Sequence, residues 1–490
     1  MRMKMKRIYY IIFIALLSLT SCNKWLDVQP ELEIRKDAIF ENEQGFKDVL
    51  TGAYIRLATP SLYGLNTTMV IGELISQHWT PLSGTLSAYL SSFDFTRTES
   101  KNMIEVVWLQ YYQTILNINS ILENIEIKKD MFTNGNYDLI KGEALGLRAF
   151  LHFEILRYWG GVPANTLPTD KAIPYVKNVT KDPNKLISNT YKEVLDNILL
   201  DLNEAEQLLS GDPVLVYSNA VLNSPATLAG VDKTKPYPSD EYHFFRQVRF
   251  NFYAVKATKA RFCLWTGDNT GALENAMSVI NAKNSDGTSK FVLGNETAAN
   301  NGQLTFPTEH IFAVNNTLST QTLTSVFFNN NTAYTQNATY LNSAFETTLH
   351  ASDIRYRNNR LWEVRVIPLA GNFNFFKKYN DTDSKTAVKD IPIIRLSEMY
   401  FIAAECGGEA SFRDYRIARV LDPSIDGTLT SATAIKDRLE KEYRKEFYGE
   451  GQMFFFYKRL NYNKFTWPVV KNVTEAAYKL PLPESQLMFE

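Results

Sequence analysis

The chain has 490 residues, 45% of them apolar, with 52 basic and 53 acidic side chains. That length supports two or three domain-sized units and a large core. A charge so close to balance argues against nucleic acid, which calls for a basic face.

At the N-terminus, Arg2, Lys4, Lys6 and Arg7 precede an apolar run from Ile8 to Leu19. A dozen residues fall short of the roughly 20 needed to span a bilayer, and fit a secretory signal. The run closes on Leu19-Thr20-Ser21-Cys22, the pattern of a bacterial lipobox. Residues 1–21 therefore read as a lipoprotein signal peptide, with Cys22 as the lipidation site. Asn23, in place of Asp, argues against retention in an inner membrane. One acyl chain holds a protein only marginally, whereas several chains anchor it stably. A chain cleaved before Cys22 would carry 48 basic and 53 acidic groups, since four basic residues lie in the leader. No later apolar stretch approaches transmembrane length.

Residues 60–100 form an irregular region, with Tyr63, Trp79, Tyr89 and Phe93 among Ser, Thr and Gly. Helical spacing then sets in. Over 103–128, Trp108, Tyr112, Ile115, Asn119 and Leu122 recur at intervals of three and four. Over 141–159, Ala144, Leu147, Leu151, Ile155 and Tyr158 do the same. Gly160-Gly161-Val162-Pro163 closes that helix, because glycine takes left-handed backbone angles and proline discourages continuation. The short linker "KDMFTNGNYD" makes the two a helical pair. Further helices are predicted at 188–210, 245–266, 269–282, 396–407 and 431–449. Residues 283–395, rich in Asn and Thr, read as loops and short strands outside the helical scaffold. Cys263 and Cys406 are far apart in apolar helical patterns and read as buried free thiols; an oxidising compartment permits a bridge without demanding one.

Chemical motifs are scarce. The chain has no GxSxG elbow, no HExxH, no Walker loop and no GxGxxG. Its five histidines (His78, His152, His243, His310 and His350) have no ligand spacing, and nothing calls for a metal or cofactor. The pairing "ALGLRAFLHF" has the small-then-bulky spacing of tetratricopeptide repeats, but no strict 34-residue period runs through the chain.

Several segments together resemble the SusD/RagB-like outer-membrane lipoproteins of Bacteroidetes. "CNKWLDVQP" is similar to the family's cysteine and Leu-Asp-x-x-Pro element, and "AIFENEQGFKDVLTGAYIRL" to its first mature helix. "WLQYYQTILNIN" carries Trp108, Tyr112, Ile115 and Asn119 at the family spacing. "GEALGLRAFLHFEILRYWGGVP" carries Glu143, Arg148, Ala149, Gly161 and Pro163. "TEHIFAV", "DIRYR" and "IPIIRLSEMYFIAAE", the last ending at Glu405, follow in order. "EKEYRKEFYGEGQMFFFYKR" departs from the pattern: Tyr443 follows Glu442 where the family usually has Arg, and Met453, Phe456 and Tyr457 replace a charged Arg and an Asp-Leu pair. The resemblance implies a mainly α fold over residues 22–490, with tetratricopeptide-like helical pairs and variable insertions near 60–100 and 283–395. It implies non-catalytic capture of nutrients, usually glycans, and delivery to a SusC-like TonB-dependent transporter in the outer membrane.

In that reading Trp108, Glu143, Arg148, Pro163 and Glu405 are scaffold. The ligand falls to aromatics of the two irregular regions: Trp79, Tyr89, Tyr334, Tyr340 and Trp362. Sugar C–H faces stack on rings, and Asn, Asp, Gln or Arg side chains serve the hydroxyls. Trp79 and Trp362 are expected at the surface, where alanine weakens binding with little loss of stability. Two other functions remain open: peptide capture by the same fold, and a surface hydrolase, which requires two carboxylates roughly 5–10 Å apart.

Overall fold

The structure is a computed structural model. It describes residues 39–490 apart from 82, 181, 183, 185, 226–236, 239, 316–333, 358–359, 368–370, 380–389 and 428. The leader, the lipobox and Cys22 lie outside the described residues, as does part of the 283–395 insertion. The chain divides into residues 1–46 and 47–490. In the described part of the first unit, the rings of Phe40 and Phe46 lie 4.6 Å apart.

The mainly α class is borne out. The long helices are α1 (Glu43–Leu57), α2 (Thr98–Ile125), α3 (Asn136–Trp159), α4 (Tyr191–Leu208), α5 (Phe252–Thr266), α6 (Asn269–Ile280), α7 (Leu396–Gly407), α8 (Glu409–Ala418), α9 (Ala432–Glu446) and α10 (Gln452–Arg459). Local signals set most of their ends. Thr190 and Glu193 form a reciprocal capping box at the start of α4, which satisfies two otherwise orphan donors. The Asn251 side chain accepts from Ala254 N and starts α5 there, later than the sequence pattern suggested. Gly267, in the left-handed region, ends α5, and Asp268 caps α6 at once.

Successive helices pack on one another: α3 on α2 and α4, α5 on α6, α6 on α7, and α7 on α8 and α9. The centre of the first group is α3. Its periodicity suggests one apolar face, yet it is buried on every side, from Asn136 to Trp159 save Asp138 and Lys141. Close approach makes this possible. A Cβ on Gly146 would lie 2.6 Å from the Phe250 ring. The C-terminal end of α3 is closed by Lys458 of α10, whose ammonium donates to the carbonyls of Arg157 and Gly160 at 2.7 Å each. The Lys458 donors satisfy carbonyls that the end of α3 leaves unpaired, while burial pushes its pKa well below the usual lysine range.

Among its described residues, the 283–395 region supplies five strands. β1 (His310–Asn315) pairs antiparallel with β5 (Asp390–Arg395), His310 opposite Arg395 and Asn315 opposite Asp390. β5 leads directly into α7. β2 (Thr335–Gln336), β3 (Trp362–Ile367) and β4 (Gly371–Phe376) form a sheet in the order β2-β4-β3. β6 (Lys464–Phe465) and β7 (Lys471–Asn472) make a third, minimal pair. Cys263 and Cys406 are free thiols, the first buried and the second only half-buried.

Candidate functional site: a buried aromatic cluster where two insertions meet

The segment 66–80 folds as two short helices, Asn66–Val70 and Ile71–Ile75, followed by a buried turn. Glu73, fully buried, organises it. Its carboxylate accepts from His78 Nδ1, Gly449 N and Gly451 N, each at 2.8 Å. Gly451 sits at φ +73°, and a Cβ there would lie 2.8 Å from the Thr67 carbonyl. The Gly-Glu-Gly stretch after α9 thus makes room for this segment.

The other side of the turn meets the second insertion. Thr80 N donates to the Thr335 carbonyl at 2.8 Å, and Gln336 Nε2 donates to the His78 carbonyl at 2.9 Å. Asn374 Nδ2 on β4 donates to the Gln336 carbonyl at 3.2 Å. The two regions singled out in the sequence are therefore joined strand to turn.

An aromatic cluster fills the junction. The Trp79 ring lies 5.0 Å from Tyr448, 5.4 Å from Phe376, 5.8 Å from Tyr334 and 6.3 Å from Trp362. Trp362 stands perpendicular to Tyr448 at 4.9 Å. His78 stacks on Tyr448 at 4.4 Å. Trp467 sits 6.5 Å from Tyr448 and donates its indole N–H to the Tyr340 carbonyl at 3.0 Å. Edge-to-face pairs of this kind contribute about 0.5–1.5 kcal/mol each beyond area burial.

Three of the five proposed ligand aromatics, Trp79, Tyr334 and Trp362, come together here, but not as expected. Trp79 and Trp362 are each 1% exposed, and Trp79 Nε1 donates to the Met69 carbonyl at 2.9 Å. Neither presents a ring face to solvent, so the expectation of surface stacking is corrected: these two are core. Tyr334 and Tyr340 are half-buried and form the accessible part, beside exposed Asn337, Thr339, Asn342 and Ser343. Tyr89, also half-buried, belongs to the short helix Leu86–Ser91 and carries the Arg97 guanidinium 5.2 Å above its ring. Sequence reasoning missed Tyr448, Phe376 and Trp467. The "EFYGEG" stretch was the available signal for Tyr448, since left-handed glycines beside an aromatic mark a close approach.

A family model described as starch-binding, associating with the outer membrane, and named SusD-like, matches residues 24–230. Two curated relatives are SusD-like proteins P38 and P25 of Formosa agariphila. The first is 27% identical over 207 residues, 41% of this chain and 37% of that protein; the second is 24% identical over 174 residues, 34% and 32%. The match thus spans about a third of the length of these relatives. Among solved structures, a SusD superfamily protein of Bacteroides thetaiotaomicron superposes with a TM-score of 0.69 over 91% of this chain and 98% of that one, at 19% identity. A SusD-like carbohydrate binding protein of Bacteroides vulgatus gives 0.66, over 91% and 96%, at 16% identity. The chain resembles the SusD-like family model over residues 24–230 and shares the fold of these solved structures.

The SusD-like motif residues occupy the following places. Trp108 is buried 5.1 Å from Trp159. Glu143, fully buried, accepts from Tyr54 OH at 2.7 Å and pairs with Arg246, which also binds Asp212 through two bonds of 2.9 and 2.7 Å. Arg148 grips Asp201 through Nε and Nη2 at 2.6 and 2.8 Å, and donates to Asn119 Oδ1 at 3.2 Å. Pro163 opens a single 3-10 turn after α3. Glu405 takes a two-bond contact from Arg459 at 2.9 and 2.6 Å.

The departing C-terminal segment carries the densest ion network. Glu446 accepts from Arg419 at 2.6 and 2.9 Å, from Arg395 at 2.7 Å and from Tyr415 OH at 2.7 Å. Burial alone would raise its carboxyl; Arg419 and Arg395 hold it well below the usual range. Glu309 accepts from Arg395 at 3.0 Å and Arg419 at 2.7 Å. Glu442 pairs with Arg355 and Lys445 at 2.9 Å each. All three carboxylates lie in the core, bonded to guanidinium or ammonium groups, and the neighbouring cations hold Glu442 and Glu446 low against burial, opposite to the raised pKa of a glycosidase acid. Among the described residues, no helix is long and apolar enough to cross a membrane, and no cluster of His, Cys, Asp or Glu has metal-site geometry.

Proposed function

We propose that this SusD-like protein captures oligosaccharides at the cell surface without cleaving them and passes them to a SusC-like TonB-dependent outer-membrane transporter. Lipid on Cys22 tethers the body, residues 22–490, beside that partner. The observation that carries the ligand reading is the junction of the two insertions. Half-buried Tyr334 packs on the Trp79 ring, half-buried Tyr340 is tied through its backbone carbonyl to Trp467, and both neighbour neutral Asn, Ser and Thr residues along the chain. Ring faces plus uncharged donors and acceptors are the chemistry that neutral pyranoses require. The family description and the printed title of the Bacteroides vulgatus structure support the same class.

Peptide capture is the second reading, and one feature favours it. Among the described residues β3 pairs with β4 alone, and its Val364 and Val366 are exposed, a strand edge open to β-addition. Affinity electrophoresis against neutral glycans and extended peptides separates the two. Retention by a glycan that Tyr334→Ala and Tyr340→Ala weaken supports the first reading. Retention by peptides alone, abolished by proline in β3, supports the second. Shortening of the glycan after a day of incubation would move the protein into the hydrolase class.

A further inference from the structure

A second polar cleft lies on a different part of the molecule, against the α2–α3–α4 helices. Its cavity is about 660 Å³, lined by residues between Lys171 and Asn197, within the size range of small-ligand sites. One lining residue is Tyr175, and its ring is rigidly held. Its hydroxyl donates to Asp201 Oδ2 at 2.6 Å, its backbone N–H donates to Asn189 Oδ1 at 2.8 Å, and one ring face stacks on His152 at 3.9 Å. His152 is fixed in turn. Its Nε2 accepts from Val176 N at 3.0 Å, which leaves Nδ1 to donate to the Arg148 carbonyl at 2.8 Å.

Neutral hydrogen-bonding groups make up much of the remaining lining: the amides of Asn178, Asn184 and Asn197, the Thr180 hydroxyl, and the buried Ser188 hydroxyl, which donates to Glu490. The charged lining residues are Lys171, Lys177 and Glu193, with the Lys177 ammonium 6.0 Å from the Tyr175 ring centre. The Lys171 ammonium donates to the Ser188 carbonyl at 2.8 Å, the Glu193 carboxylate caps α4, and the Glu490 side chain accepts from Ser188 N at 3.0 Å. The N-terminal donors of α4 are already spent on Thr190, Asp170 and Pro168. Amides serve both donor and acceptor roles, which suits hydroxyl groups.

From this construction we infer that the cleft is a second saccharide site, taking one or two neutral sugar rings, distinct from the Tyr334–Tyr340 surface. It rests on the reading of the protein as a saccharide binder and adds a second point of attachment. Two weak sites on one polymer raise avidity by orders of magnitude without new contacts at either.

The test is calorimetric titration of the full soluble body with maltotriose, cellotriose, xylotriose and laminaritriose. Three proteins are compared: wild type, Tyr334→Ala/Tyr340→Ala, and Asn178→Trp/Asn197→Trp, which fills the cleft from its rim. Melting curves confirm folding, and Asn197→Ala replaces the bulky pair if it melts early. We expect wild type to bind at least one trisaccharide at two sites. The tyrosine variant then keeps the cleft site, and the cleft variant loses it by at least tenfold. A single site lost with the tyrosines and unmoved by the cleft variants overturns this inference and leaves the capture reading intact. Absence of binding to every trisaccharide contradicts both.

Discussion

Arg148 shows how far a single side chain carries the fold. Its two-bond contact with Asp201 is buried, and Tyr175 shares the same carboxylate. Removing one partner of such a pair leaves an unpaired buried charge, at a cost of about 3–5 kcal/mol. Arg148→Ala is expected to lower the denaturation midpoint accordingly. Arg148→Lys is expected to recover only part of it, since a point charge cannot make the planar two-bond contact. The helix that carries Arg148 was legible in the sequence, because its apolar spacing is uninterrupted. The roles of Trp79 and Trp362 were not. Each stands in a polar neighbourhood along the chain, and the aromatic partners that bury them come from remote segments. Alanine at either is therefore expected to destabilise the protein by about 3–5 kcal/mol. The two differ in phenylalanine substitution. Trp79 Nε1 is bonded to Met69, whereas Trp362 Nε1 has no hydrogen-bond partner among the described residues. Trp79→Phe leaves a buried carbonyl short of a donor and is expected to cost about 1 kcal/mol more than Trp362→Phe, readable as a difference in urea midpoints.

At the scale of elements, the long helices follow from local chemistry. Their spacing, their N-caps and the glycines after them all lie within a few residues of each end, so a one-dimensional reading finds them. What joins elements is less legible. The Gly-Glu-Gly stretch is a departure in sequence, yet Gly451 admits the 66–80 segment by its positive φ and lack of a Cβ. Gly451→Ala combines strain with a clash and is expected to cost about 1–3 kcal/mol, lowering the melting temperature and loosening the Tyr334 surface with it. Glu346 links the short helix Ala338–Ala344 region to α9 through Lys441, Lys445 and Arg438. Burial opposes ionisation of Glu346, but these three cations win and hold its pKa near about 2, below the usual 4.5. A depressed carboxyl stabilises the folded state above the unfolded pKa and loses that contribution as pH falls through the folded one. Stability is expected to drop between pH 4.5 and 2, and Glu346→Gln is expected to flatten that part of a midpoint-versus-pH curve.

For the whole molecule, the division of labour is between a helical scaffold locked by buried ion pairs and two insertions locked to each other. The scaffold was legible because its apolar residues recur at helical spacing. The site was legible only as a pair of regions, since a stretch rich in Asn, Thr and Tyr does not reveal which rings will be covered. The central claim is that the surface left uncovered at their junction binds neutral glycan. Affinity electrophoresis of wild type and Tyr334→Ala/Tyr340→Ala through gels carrying neutral polysaccharides tests it most directly. Two stacked rings contribute roughly 1–3 kcal/mol together, so the account predicts retardation of wild type by at least one polymer and a five- to hundredfold weaker apparent affinity in the variant at unchanged melting temperature. Equal retardation of both proteins, or of neither, would contradict it.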